Sequence, residues 1–207
     1  LYGVELSPGF ISNVTDKIMA QAKEWQSRPL SAVYAVVFFD AIHYKVRENS
    51  RVVSKAAYTV LGINLEGHKE ILGIWIGENE GARFWTTVVN ELKNRGVEDI
   101  LIACMDGLKG LPDAIKSVYT GGEIQLCVVH MIRNSIKFIP HKHNKEFVYD
   151  LKQIYTAPSQ ISAEQELENL IQKWDEKYPL AVKPWVQNWG HLNTFFKFPH
   201  ELKRMIY

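Results

Sequence analysis

Apolar and polar residues alternate along the chain in two different periods, and their order predicts an α/β fold. Tight links, one of them Glu66-Gly67, make the first three predicted strands an antiparallel meander. The later strands are connected through helices, which predicts a mixed sheet. The strand-like segments are Val33 to about Val46, then 53–65, 68–76, 98–105 and 123–129.

Apolar residues spaced three or four apart predict helices around these strands. The first helix covers residues 1–30, with Ser12 as its cap and Arg28-Pro29 as its end. Two helices connect strands three, four and five. From about residue 145 onward the pattern is helical only. The helix after strand five places four residues inward: Val129, Ile132, Ile136 and Ile139.

The order of the elements places two carboxylates side by side. Strand four is reached by a crossover, so we expect it beside strand one and parallel to it. Asp40 directly follows the apolar run of strand one, and Asp106 directly follows that of strand four. Because parallel neighbours run in the same direction, the sequence predicts that Asp40 and Asp106 are neighbours.

Two adjacent aspartates repel each other unless a cation lies between them. Mg²⁺ and Mn²⁺ prefer hard oxygen ligands, and pairs of such ions assist phosphoryl displacement. We therefore interpret Asp40 and Asp106 as metal ligands and catalytic residues. Alternatively, each residue caps a strand end or the helix that follows, as Asp106 would before a helix that starts near residue 108. Two aspartates at neighbouring strand ends favour the metal site.

Composition and charge narrow the functional classes. The 207 residues carry a net charge of +1, so a nucleic-acid site must be a local patch. No apolar stretch approaches the roughly 20 residues of a membrane helix. Cys104 and Cys127 form no Cys-x-x-Cys motif, which fits a reducing cytoplasm. The chain runs from Leu1 to Tyr207, and we expect it to be a fragment.

A basic segment follows strand five. Arg133 and Lys137 share a helix face with His130, which suits DNA phosphates, although an ordinary solvated face fits equally well. Cys127 and His130 supply two zinc ligands at most, so we do not expect a zinc site. A buried cysteine in strand five with a histidine at a helix N-terminus fits this pair as well as an element near an active site does. The aromatic residues Trp185 and Trp189 are expected in a helical core rather than stacked on unpaired bases.

Several multi-residue motifs carry a family resemblance: "YAVVFFDAIHYKVR", "ELKNRGVEDILIACMDGLKGLPDAI", "QLCVVHMIRNSIKFI" and "FKFPHELKRMIY". Almost from end to end, the chain resembles the bacterial insertion-sequence transposases of the Mutator-like superfamily. The resemblance implies a ribonuclease-H-like mixed five-stranded sheet flanked by helices, with an all-α insertion after strand five. It divides the chain into the end of a helix-turn-helix DNA-binding region (1–30), a catalytic core (31–140) and a helical insertion domain (141–207).

The same resemblance implies an Asp-Asp-Glu triad that uses Mg²⁺ or Mn²⁺. The two aspartates of the triad fall on Asp40 and Asp106, which are the expected catalytic residues and metal ligands. A Cys-x-x-His element of the family falls on Cys127 and His130, in the vicinity of the active site. The expected DNA contacts are Lys109, Arg133 and Lys137.

The implied function is metal-dependent nicking and strand transfer at transposon ends. We expect transposon-end and target DNA as partners, no membrane, a homo-oligomer on DNA, and a cytoplasmic protein associated with the nucleoid. None of the glutamates between 146 and 201 matches the third triad position, so we expect this fragment to be inactive. The alternative is a non-catalytic DNA-binding or assembly module derived from a transposase.

Overall fold

A computed structural model describes residues 7–48, 50–77, 81–107, 109–199, 202, 203 and 206. Within these residues, five strands form one mixed sheet in the order β3-β2-β1-β4-β5. β1 pairs antiparallel with β2 and parallel with β4, so the predicted meander and the predicted parallel neighbours are confirmed. The strands are β1 (Val33–Glu48), β2 (Arg51–Asn64), β3 (Lys69–Gly77), β4 (Asp99–Met105) and β5 (Glu123–Leu126).

Helices flank this sheet, and the chain is α/β as the sequence predicted. They are α1 (Pro8–Ser27), α2 (Ala82–Asn94), α3 (Leu111–Val118), α4 (Val128–Ile136), α5 (His141–Tyr155), α6 (Gln160–Trp174), α7 (Pro179–Gln187) and α8 (Trp189–Leu192), with a 3₁₀ helix at Asn193–Lys197. In the described ranges, no helix combines the length and the apolar character needed to cross a membrane.

One hydrophobic core joins a face of the sheet to the helices. Phe39 and Met105 of the central strands belong to the same buried cluster as Trp85 of α2 and Trp185 of α7. The ring of Trp85 meets that of Phe39 edge-on, with centroids 6.1 Å apart. The cluster continues to Phe195. The helices that follow α4 (residues 141–197, the helical block) therefore share the core of the sheet. Burial of these large side chains is the main force that holds the elements together.

The opposite face of the sheet is covered less completely. A small cluster there buries Cys104 against Ile206. Beyond this cover, three isoleucines of β1 and β3 are exposed. The strand register places them on the face that carries Asp40. These exposed residues are Ile42, Ile74 and Ile76.

The first helix begins earlier than its predicted cap. Ser7 is the N-cap, and its Oγ accepts the N–H of Phe10 at 3.2 Å, so Ser12 lies inside the helix and the prediction was wrong. Pro8 explains the difference, because its fixed φ suits the first helical turn. Residues 1–6 of the predicted helix lie outside the described residues. No residue of α1 is buried; near its end, Arg28 Nη2 donates to Ile71 O at 2.7 Å.

The predicted inward face of α4 is confirmed except at Val129. Ile139 is buried, and Ile132 and Ile136 are partly buried against the core, whereas Val129 is 38% exposed. The buried residues of the helix itself are Val128, Met131 and Ser135. The helix starts at Val128, directly after β5, and this starting point sets which side meets the core. Trp185 is buried as expected, and Trp189 is half-buried against the same core.

Candidate active site

Asp40 and Asp106 lie next to each other where β4 ends beside β1. The last pair in the parallel register is Phe39 with Met105; Asp40 is the next residue of β1, and Asp106 is the first residue after β4. Side chains alternate between the two faces of a sheet, so both positions fall on the face opposite Phe39 and Met105. The structure thus brings the two sequence-predicted carboxylates together.

The two aspartates line a cavity of about 200 Å³. Asp40 is exposed and Asp106 is half-buried, so the carboxylates lie between solvent and an apolar wall. An apolar wall lowers the local dielectric and strengthens the interaction of the carboxylates with any nearby charge. The other lining residues are Phe38, Phe39, Cys104, Met105, Cys127, His130 and Ile206.

The described residues supply no counter-charge paired with the two carboxylates. Among the residues that the structure describes, no Lys, Arg or His forms an ion pair with Asp40 or Asp106. Asp40 Oδ1 accepts the N–H of Ala41 at 2.8 Å, which occupies one of its two oxygens. Because two neighbouring carboxylates repel each other, a bound cation stabilises them. Their hard oxygen donors fit Mg²⁺ or Mn²⁺.

No third ligand joins the aspartates within the described ranges. There, no group of three or more His, Cys, Asp or Glu side chains is placed to hold a metal ion. Two carboxylates can anchor a hard cation, with its remaining positions open to water or phosphate oxygens. The site as described is therefore a two-carboxylate anchor.

Cys127 lies between the carboxylates and the start of α4. Burial raises the pKa of its thiol, and the negative charges of Asp106 and Asp40 raise it further, whereas the N–H groups of His130 and Val129 lower it. The thiol is therefore neutral near pH 7 and adds no charge to the pair. A neutral thiol adds no further repulsion beside the two carboxylates.

His130 lines the same cavity from the first turn of α4. The side chain is half-buried, and its Nδ1 is buried with no hydrogen-bond partner in the part of the chain that the structure describes. A buried polar atom without a partner costs roughly 1–3 kcal/mol. His130 therefore keeps hydrogen-bonding capacity for a group from outside these residues.

None of the three sequence-predicted DNA contacts lines the cavity. Lys109 is exposed in the turn between Asp106 and α3. Arg133 and Lys137 are exposed on α4, and Lys137 Nζ donates to Asn134 Oδ1 at 2.7 Å. All three cations are exposed to solvent, and their contact with DNA stays a prediction.

The sequence reasoning missed the length of β1 and β2 beyond Asp40. β1 continues to Glu48 and β2 begins at Arg51, two residues past each predicted limit. The sequence feature that could have revealed this length is the segment "HYKVRENSRVVSK". In it, charged and apolar residues alternate on both sides of Asn49-Ser50. The extension places a basic segment on the same strand as the candidate catalytic aspartate.

Comparisons with known proteins agree with one another. The family model "Transposase, Mutator family" matches residues 1–207. The transposase for insertion sequence element ISRM3 of Rhizobium meliloti (strain 1021) is 46% identical over 208 residues, which cover 100% of this chain and 52% of that protein. A probable transposase of Corynebacterium diphtheriae is 38% identical over 205 residues, which cover 99% of this chain and 60% of that protein. The chain thus spans little more than half the length of these relatives.

A solved structure shows a more distant likeness. A chain of the simian T-cell lymphotropic virus intasome, determined in complex with a regulatory subunit of PP2A, aligns with 84% of this chain. The alignment covers 53% of that chain, with a TM-score of 0.32 and 12% sequence identity. A likeness at this level carries no argument about the present chain.

Proposed function

Since the chain belongs to the Mutator family of transposases, we propose that it is the catalytic core for nicking DNA at transposon ends and for strand transfer. The observation that carries the proposal is the pair Asp40 and Asp106, which line one cavity where β4 ends beside β1 and have no ion-pair partner among the described residues. A non-catalytic module has no use for two carboxylates that repel each other, so the pair favours the enzyme over the DNA-binding or assembly module.

In this proposal Asp40 and Asp106 hold Mg²⁺ or Mn²⁺. When bound, the metal supplies positive charge that stabilises the attacking and leaving oxygens of a phosphoryl displacement. The protein anchors the ion through the two carboxylates. The apolar wall behind them excludes water from one side of the site.

The other residues of the site orient the DNA. His130 offers its unpartnered Nδ1 to a phosphate oxygen or a hydroxyl at the cavity, while the neutral Cys127 thiol fills the wall beside it. Lys109, Arg133 and Lys137 contact backbone phosphates around the cavity. These contacts position the scissile phosphate at the carboxylates without reading a sequence.

We further propose that the 207 residues do not cleave DNA by themselves. The two-metal reaction requires ligands for a second ion, and no third carboxylate joins Asp40 and Asp106 in the described ranges. The partners are transposon-end and target DNA, and the protein acts as a homo-oligomer on DNA. It works in the cytoplasm, at the nucleoid.

The test uses the protein at its full natural length. Asp40→Asn and Asp106→Asn are expected to abolish Mg²⁺-dependent nicking of transposon-end DNA while the melting temperature stays within a few degrees. Asp113→Asn is a matched control, because Asp113 is exposed on α3 and does not line the cavity. Nicking that survives in either aspartate variant contradicts the assignment, and a large loss of thermal stability supports a structural role instead.

A further inference from the structure

β1 and β2 continue beyond the rest of the sheet. β4 ends at Met105 opposite Phe39, and β3 ends at Gly77 opposite Ala56. In the described part of the chain, the segments 44–48 and 51–55 therefore pair only with each other, and we name them the β1–β2 ribbon. Five residues per strand, at about 3.4 Å each, project about 17 Å beyond the third strand.

The β1–β2 ribbon concentrates positive charge. The chain has 24 Lys and Arg against 23 Asp and Glu, and the ribbon holds four of the former but one of the latter, which leaves 20 against 22 elsewhere. A chain that is acidic elsewhere thus presents a basic projection. This distribution is typical of a surface that meets a polyanion. The charged residues of the ribbon are Lys45, Arg47, Glu48, Arg51 and Lys55.

Three of these cations are open to a partner. Lys55 Nζ pairs with Glu48 Oε1 at 2.8 Å. Lys45, Arg47 and Arg51 are exposed, and no carboxylate of the described residues pairs with them. Lys45 and Arg47 share one face, whereas Arg51 lies on the other. Because like charges on neighbouring positions repel each other, a bound anion stabilises the ribbon.

The ribbon is also held in a fixed relation to the carboxylates. An isolated two-stranded hairpin is only marginally stable in water, but these strands continue directly into the sheet. Tyr44, Val46 and Val53 are half-buried on the face opposite Lys45, which stiffens the projection. Eight residues separate Asp40 from Glu48 on one continuous strand, which amounts to about 27 Å.

We propose that the β1–β2 ribbon binds backbone phosphates of the duplex DNA that flanks the scissile bond. The inference rests on the proposed function, which places a DNA substrate at Asp40. A two-stranded ribbon fits the major groove of B-DNA, which is about 12 Å wide. The reach of about 27 Å equals about eight base pairs at about 3.4 Å each, so the ribbon contacts DNA within that distance of the scissile phosphate.

The first experiment measures binding and not cleavage. Lys45→Ala/Arg47→Ala is made in the full-length protein. The affinity for duplex DNA is measured between about 50 and 200 mM salt, because the affinity of phosphate contacts falls steeply over this range. We expect the slope of log affinity against log salt to become shallower by about 1.8, or about 0.9 per lost phosphate contact, on transposon-end and on scrambled duplexes alike.

A matched control removes the same charge elsewhere. Lys152→Ala/Lys183→Ala affects two exposed lysines on α5 and α7, and its salt slope should equal that of the wild type. If the alanine ribbon variant does not fold, Lys45→Thr/Arg47→Thr replaces it, because threonine favours strands. A ribbon variant whose salt slope is unchanged overturns the proposal.

The second experiment locates the contact. A photoreactive phenylalanine derivative replaces Val52, which is 63% exposed and pairs with Arg47 on the basic face. Cross-links are expected within about eight base pairs of the scissile phosphate. Cross-links only to another protein subunit, or to DNA far outside this window, overturn the proposal.

The two proposals fail separately. If the ribbon variant has a shallower salt slope but the wild type does not nick DNA, the ribbon proposal is supported and the proposed function is contradicted. If the wild type nicks DNA but the salt slope of the ribbon variant is unchanged, the ribbon proposal is contradicted and the proposed function stands.

Discussion

The indole N–H of Trp185 in α7 donates a hydrogen bond to Ser135 Oγ in α4 at 2.8 Å, and both side chains are buried. The bond joins the helical block to the helix that carries His130 into the candidate active site. A buried indole N–H needs a partner, because its removal from water is otherwise uncompensated. The position of α4 therefore depends on a polar contact inside the core.

Ser135→Ala is expected to lower the free energy of unfolding by about 1–3 kcal/mol, because it leaves the Trp185 N–H buried and unpaired. Urea unfolding measures the loss. Trp185→Phe removes the donor, so adding Ser135→Ala to that variant should cost clearly less than it does in the wild type. Full additivity of the two changes would contradict the role of this bond.

Gly110→Ala should destabilise the fold and disturb the turn that follows Asp106. Gly110 has φ +80°, and a Cβ there would meet Ala82 Cα at 2.7 Å. Strained backbone of this kind costs roughly 1–3 kcal/mol, visible as a lower melting temperature. Gly121→Ala is the control, because a Cβ at Gly121 meets nothing within 4 Å. Equal effects of the two changes would show that the close approach is unimportant.

Stability should fall at high pH through Tyr119. Burial, and then the charge of Asp99, raise the pKa of this phenol above its ordinary value. Its contribution is fully present below the unfolded pKa of about 10 and is lost as the pH rises toward the folded pKa, because only the unfolded state ionises in that window. Between pH 9 and pH 11 the loss amounts to about 1.4 kcal/mol. Urea unfolding at pH 9, 10 and 11 measures it.

Tyr119→Phe should flatten this pH dependence, since it removes the titrating group. Tyr149→Phe serves as the control, because Tyr149 is 64% exposed and should leave the pH profile unchanged. A wild-type profile in the Tyr119→Phe variant would assign the alkaline loss to other groups.

Mn²⁺ alone should stabilise the protein by neutralising the repulsion between Asp40 and Asp106. At a concentration 100 times its dissociation constant, the gain is about 2.7 kcal/mol, which raises the melting temperature. Asp106→Asn should abolish the rise. The same rise in that variant would place the ion elsewhere.

Arg133→Ala/Lys137→Ala should weaken binding to all duplex sequences about equally. Two lost phosphate contacts make the salt slope shallower by up to about 1.8. Fluorescence anisotropy at several salt concentrations measures the slope, and the variant at Lys152 and Lys183 is again the control. An unchanged slope would show that this face of α4 is only solvated.

The topology of the site was predictable because it depends on chain order. A meander followed by a crossover leaves little choice for the neighbour of β1, and the next residue after each apolar run is an aspartate. Sequence pattern also predicted the strands and most helices, since the periods of two and 3.6 residues differ clearly.

The finer features depended on contacts that sequence spacing does not encode. Val129 and Met131 are both apolar, and only the packing of α4 against the helical block decides which one is buried. The outer residues of the β1–β2 ribbon, Arg47, Glu48, Arg51 and Val52, fell outside the predicted strands because charged residues interrupt the apolar pattern used to find strands. That His130 Nδ1 is buried without a hydrogen-bond partner among the described residues is likewise visible only in three dimensions.

The core that runs from Phe39 to Phe195 joins the sheet and the helices after β5 into one packed unit. Packed interiors have low compressibility, so a displacement of the helical block is transmitted to β1 and β4 rather than absorbed between them. Amide hydrogen exchange in α6 should therefore be as slow as in β1, with both opening in the same global event. A force applied to the helices would reach the two aspartates as a change in their spacing.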